Sequence, residues 1–212
     1  MTNEWSRARP DLSTKLVHLV KGETMDNAFD TLLAILSERR LRGGSGMIKG
    51  GFTCVCFTEA PVAQLALSLA DPQTSRFKYR PIGIMVDKAW AFESGARPAI
   101  YQPDEEYDWL PNDIKYRHVR YDPSNKVDFT WEREWRLRAN ALSFTPEDVT
   151  VVFPDRIWAD AFNANHFEEI KAKVATNGVD ALERYPWHVI ALSDLGIEVP
   201  WDFEKPKPRR ND

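Results

Sequence analysis

Acidic and basic side chains alternate with tryptophan over Phe129-Thr130-Trp131-Glu132-Arg133-Glu134-Trp135-Arg136-Leu137-Arg138. As a β-strand, whose side chains alternate between two faces, this segment sorts into two sets. Trp131, Trp135 and Leu137 point one way, with Arg133 among them. Glu132, Glu134, Arg136 and Arg138 point the other. The tryptophan face predicts a strand central to a core, which leaves the charged face to line something. Two carboxylates beside two guanidiniums suit acid/base work or stabilisation of a developing positive charge. The same alternation also suits a cross-strand ion-pair ladder on a solvated sheet.

The elements that must carry these residues follow from hydrophobic period and turn chemistry. Lys15 to Val20 reads as a short apolar strand interrupted by His18. A helix is expected from about Asp26 to Arg40, with Phe29, Leu32, Leu33 and Leu36 at helical spacing. Gly43-Gly44-Ser45-Gly46 is a flexible turn. Phe52 to Phe57 is a second strand, and Glu59 to Ala70 a second helix with Pro61 in its first turn. Pro81 to Val86 and Ala99 to Tyr101 read as strands around a small loop containing Trp90 and Gly95. From Gln102 to Lys126 the chain has no steady period and reads as a long surface loop with some short helix. Loops of that length are often functional, and this one is placed at the rim of a cleft. A strand at Val149 to Phe153, a helix from about Trp158 to Ala175 and a strand at Trp187 to Leu192 complete the series. The expected class is α+β with a mixed or mostly antiparallel sheet. Residues 1–14 form a lead-in, 15–200 one domain, and 201–212 a disordered tail that is charged and Pro-rich from Lys205 to Asp212.

Composition narrows the function classes. A net charge of −4 argues against broad, non-specific nucleic-acid affinity, while leaving room for a local basic patch at Arg39, Arg40, Arg42 and Lys49. Eight tryptophans, several beside charged residues, favour an aromatic-lined groove, although tryptophan is also good core material. No run approaches the ~18 apolar residues of a membrane span, and the N-terminus lacks the apolar region of a secretory signal, so a cytoplasmic protein without membrane contact is expected. Cys54 and Cys56 are two apart on a strand, matching neither a redox pair nor a zinc half-site. They are expected to be reduced and metal-free. His118, His166 and His188 share no metal-ligand spacing and receive no role. Arg97 and Arg120 suit either phosphate binding or surface ion pairs.

The order of these features resembles the ADP-ribosyltransferase superfamily. A strand carrying His18 is followed by a helix ending Leu41-Arg42-Gly43, then by Val55-Cys56-Phe57-Thr58-Glu59-Ala60-Pro61, then by the Glu132/Glu134 strand. The second and last of these phrases also look like those of bacterial abortive-infection proteins. The resemblance covers about residues 15 to 140. It implies a split sheet with flanking helices, NAD as substrate and no metal. By position, His18 would hold the ribose on the nicotinamide side. Phe57 would pack on the nicotinamide ring, or Thr58 would support the glutamate. Tyr101 and Arg136 join the residues given to NAD. Glu134 would be the catalytic carboxylate, and Glu132 resembles the first acid of the family's Glu-x-Glu pairs. One position departs: Val20 stands where His-bearing members carry Ser or Thr.

What the resemblance implies is transfer of ADP-ribose from NAD to a protein or nucleic-acid acceptor, in toxin action or anti-phage defence. Two rivals share the fold. One is a non-catalytic protein of the immunity or antitoxin kind, or a chain that meets such a partner. The other is RNA 2′-phosphate transfer, against which Glu134 argues. On the residues alone, His18 and Phe57 also suit plain core positions.

Overall fold

The computed structural model describes residues 13–61, 79–164 and 187–197. Strand β1 (Lys15–Lys21) is followed by helix α1 (Met25–Glu38). Thr24 caps α1 by accepting the Asn27 amide at 3.2 Å, satisfying one of the donors a helix start leaves free. Met25, Ala28, Phe29, Leu32 and Leu36 form its buried stripe. The helix stops at Arg39, which adopts left-handed geometry (φ 49°) and turns its amide back onto the Ile35 and Leu36 carbonyls. Then come β2 (Arg40–Arg42), β3 (Cys54–Thr58), β4 (Tyr79–Asp87) and the short helix α2 (Lys88–Glu93). The chain continues through β5 (Arg97–Pro98), β6 (Ile100–Gln102), β7 (His118–Arg120), β8 (Glu134–Arg138), β9 (Ala141–Ser143) and β10 (Val149–Phe153). A helix α3 starts at 156 and is described to 164, and β11 (His188–Ala191) follows.

Seven strands form one sheet in the order β11-β10-β4-β1-β3-β8-β5. Only β10 and β11 run parallel; the other neighbours are antiparallel. The class is therefore α+β with a mixed sheet. Leu16, Ile84, Val86, Phe57, Trp135 and Leu137 belong to one buried cluster with residues of α1 and α3. There the Phe29 and Trp158 rings lie 5.4 Å apart.

The join at the centre of this sheet positions the site. β1 pairs with β4 at six positions and β3 with β8 at five, but β1 meets β3 at Val17↔Thr58 alone. Past that point the two halves part: Cys54 exchanges both backbone bonds with Gly44, each at 2.9 Å, and the Cys56 carbonyl is met by the His18 ring. β1 is also irregular between Leu19 and Lys21, where its register on β4 shifts. Gly83 of β4 allows the close approach at His18, since a Cβ there would stand 2.1 Å from the His18 carbonyl oxygen.

Several elements differ from expectation. The charged strand begins only at Glu134. Thr130–Glu132 is a 3-10 turn, and Arg133 takes a left-handed conformation (φ 45°). Asp128 explains the turn, because its Oδ1 accepts both the Thr130 amide (2.9 Å) and the Thr130 hydroxyl (2.6 Å). Strict alternation therefore fails before Glu134. The expected loop at Trp90 is helix α2, whose first turn is capped by Asp87 accepting the Ala89 amide at 2.8 Å. The 102–126 segment holds 3-10 turns at Asp104–Trp109 and Lys115–Arg117, and it places β7 in parallel pairing with β6. Residues 59–61 are not helical, and the rest of the expected Glu59–Ala70 helix lies outside the described residues, as do the end of the helix to Ala175, the lead-in through residue 12 and the tail. No helix among the described residues is long and apolar enough to cross a membrane.

Candidate active site

A cavity of about 940 Å³ occupies the parting of β1 from β3, at the upper end of the ~300–1,000 Å³ range of ligand sites. Leu19, Val20 and Lys21 of β1, with Thr31 and Ile35 of α1, form one wall. Cys54, Cys56 and Thr58 of β3, with Glu134 and Arg136 of β8, form the opposite wall. The 44–49 turn and the 118–120 strand close the mouth, linked by way of Asp104, whose Oδ1 lies 2.9 Å from Lys49 Nζ and whose Oδ2 lies 3.9 Å from Arg120 Nε.

Glu132 and Glu134 both reach this cavity, by different routes. Glu134 opens β8 directly opposite Thr58. Its carboxylate is gripped by the Arg136 fork, Nε to Oε1 and Nη2 to Oε2, each at 2.9 Å. Its amide donates to the Tyr101 hydroxyl oxygen at 2.8 Å and its carbonyl accepts from Ala99 at 2.8 Å, so the backbone beneath the carboxylate is fixed on both sides. Glu132 arrives on the 3-10 turn, and its carbonyl accepts the Thr58 hydroxyl. Burial and then the Glu134 charge push the Glu132 carboxyl up to about 7. A carboxyl tuned to neutrality beside an anchored carboxylate is a usual preparation for proton transfer.

The other expected residues fall into three groups. His18 and Thr58 line the cavity. His18 follows the bridge residue Val17 and so leaves β1 on the pleat face opposite to Glu134; it reaches the same cavity only because the sheet parts there. Its Nδ1 donates to the Cys56 carbonyl at 2.8 Å across the gap, which fixes the tautomer and leaves Nε2 as an acceptor. Burial lowers its pKa, so the ring is neutral. Phe57 sits on the core face opposite Trp135, 2% exposed, and touches the cavity at its edge. The Phe57 ring thus faces the core, while the Thr58 hydroxyl donates to the Glu132 backbone carbonyl. Tyr101 lies behind Glu134, and burial raises its hydroxyl to about 12, keeping it protonated. Arg136 directs its donors to protein groups, not into the cavity.

Sequence reasoning passed over Tyr79, Phe129 and Trp131 as cavity aromatics, together with Lys21 and His118. Strand alternation places Trp131 on the core face, and the 3-10 turn breaks that alternation. His118, 2% exposed, lies edge-on to Tyr107 with 5.1 Å between rings, a contact that spacing cannot reveal. Of the two arginines left open, Arg97 donates to the Phe92 and Ala96 carbonyls and stacks on Phe92, whereas Arg120 borders the cavity and pairs with Asp122 at 2.7 Å. Cys54 and Cys56 are free thiols, and burial, then the nearby Glu134 charge, raises Cys56 well above the ordinary thiol range. Among the described residues no three His, Cys, Asp or Glu side chains converge as a metal site would need.

Compared with known proteins, the chain matches no family model, no curated protein and no solved structure.

Proposed function

We propose that this protein transfers ADP-ribose from NAD to a protein or nucleic-acid acceptor, with the parting of β1 and β3 as the donor site of an ADP-ribosyltransferase-like fold. The observation that carries the reading is the Glu132/Glu134 pair, one carboxylate anchored and the other tuned near neutrality, on the wall of a ligand-sized cleft. In the reaction the bond between ribose C1′ and the nicotinamide nitrogen breaks, and nicotinamide leaves with the bonding electrons. Positive charge grows on the ribose as it does in glycoside cleavage. Glu134 stabilises that charge. The acceptor forms the new bond to C1′ and gives up its proton to Glu132.

The rest of the cavity suits the donor. Lys21, Lys49 and Arg120 stand on its border, where phosphates would compete with Asp104 for Lys49 and with Asp122 for Arg120, and Phe129 and Trp131 add aromatic lining, the Tyr79 ring lying under Lys21 at 4.6 Å. His18 presents a neutral acceptor nitrogen, suited to a ribose hydroxyl. Toxin action or anti-phage defence is the setting the sequence resemblance implies.

A second reading, a binder without turnover on the same fold, draws on one observation: Arg136 already occupies both oxygens of Glu134. Nicotinamide release from NAD separates the two. The purified protein, with and without lysate as acceptor source, should release nicotinamide, and Glu134→Gln should not. Wild-type protein that neither binds NAD nor releases nicotinamide with its cellular partners present would favour the binder.

A further inference from the structure

Arg136 is the most deeply enclosed charge at the cavity, 4% exposed. Its guanidinium makes four hydrogen bonds in two directions. Nε and Nη2 hold Glu134, while Nη1 donates to the carbonyls of Tyr116 (2.9 Å) and His118 (2.7 Å). Those carbonyls belong to the stretch whose next residues, Val119 and Arg120, form cavity wall. His118 is itself immobilised, its ring packed on Tyr107 and its Nε2 near the Pro103 carbonyl at 3.4 Å.

We infer that Arg136 is the positioning residue of the proposed reaction: it aims the Glu134 carboxylate and ties it to the wall at 116–120, so that a displacement of that wall by a ligand reaches the carboxylate through the guanidinium, while Tyr101, paired with Val119, holds only the Glu134 amide. This rests on the role given to Glu134 above. Only arginine meets the geometry. A planar fork can hold both carboxylate oxygens and still present a further nitrogen to two carbonyls, whereas a lysine ammonium is a single point of donation. Burial disfavours the charged guanidinium, and the Glu134 contact outweighs that penalty. The charged and titratable groups facing the carboxylate pair are Arg136 itself, Lys21 from β1, Cys54 and Cys56 from β3, Tyr79 from β4 and Tyr101 from β6. Arg136 is the cation bonded to Glu134, so its removal leaves the two acids to repel one another across a poorly solvated space.

The test uses full-length protein with 13C-labelled glutamate carboxyls, the Glu132 and Glu134 signals being assigned from Glu132→Gln and Glu134→Gln. Arg136→Gln should raise the titration midpoint of Glu132, which the Arg136 charge holds down. Arg136→Lys keeps a charge and decides the matter should the glutamine variant not fold. It should lower kcat for nicotinamide release by up to about 10²-fold, the cost of a misplaced reacting group, and leave KM for NAD within about twofold. Val119→Ala, which trims the wall at the position paired with Tyr101, should shift the Glu134 signal in the wild-type background by more than it does in Arg136→Lys. An unchanged Glu132 midpoint, or a Val119→Ala shift of equal size in Arg136→Lys, would overturn the inference. Failure of wild-type protein to release nicotinamide would defeat the NAD reading alone, since the carboxyl signals judge the Arg136 link without turnover.

Discussion

Two glutamates, Glu59 and Glu134, lie on opposite sides of the same strand pair and meet different fates. Glu59 follows β3 and is 8% exposed. Its Oε1 accepts from Lys88 of α2 and its Oε2 from the Trp135 indole, each at 2.8 Å. Glu134 is held by Arg136 on the cavity side. Trp135 and Arg136 are neighbours on β8, so the pleat sends one donor to each carboxylate. What differs is the space beyond. Glu59 faces a core ring and a helix lysine, and its charge serves to fasten α2 to the sheet. Glu134 faces a cleft with a second acid beside it, where a charge has something to act on.

Substituting each glutamate in turn separates the two roles. Glu134→Gln should lower nicotinamide release by on the order of 10²–10³, about 3–4 kcal/mol of barrier, a loss beyond what any unfolded fraction explains. Glu59→Ala should do the reverse. It removes a hydrogen bond to a charged partner and another to the indole, costing about 2–3 kcal/mol in urea unfolding, while activity per folded molecule stays close to wild type. Equal effects on rate from both would erase the distinction.

Glu132 sharpens the cavity side through pH. Its folded pKa, about 7, stands above the ordinary glutamate value of 4.5. The folded state therefore binds the proton more tightly than the unfolded chain does, and stability falls as pH rises between these values. Glu132→Gln should remove that decline: its urea midpoint should exceed that of wild type at pH 8 and match it at pH 4. An unchanged pH dependence would place Glu132 in water. The smallest expected effect concerns the thiols. Denatured, non-reduced protein should titrate two free groups, while in the folded state Cys56 should alkylate far more slowly than an exposed thiol because burial and Glu134 suppress its thiolate.

The sequence marks the longer strands as apolar runs between turn signals, as at Val149–Phe153, where expected and observed bounds coincide, but not β2, β5, β7 and β9, whose two or three residues are too few to show a period. It also placed Glu134, Arg136 and Arg138 on one face of β8, since the period of two holds within a strand. It misassigned Trp131, because the Asp128–Thr130 contacts that start the 3-10 turn outweigh any local strand preference. Helix α2 was missed because six residues are too few for a helical stripe, and the Asp87 cap is the only local mark. The site was legible by residue type alone. Nothing in the order of residues says that β1 and β3 meet at one position, or that the Arg136 guanidinium spans from Glu134 to the 116–118 carbonyls. Those facts arise from packing between segments distant in the chain.

The proposed reaction requires NAD in the parting of β1 and β3, with its reacting end at Glu134. Amide hydrogen exchange, with and without saturating NAD, locates the ligand directly. The account predicts protection in 18–21, 44–49, 116–120 and 129–134, with the β10–β11 end of the sheet unchanged. Protection confined to that far end, or none at NAD concentrations that support nicotinamide release, would contradict it.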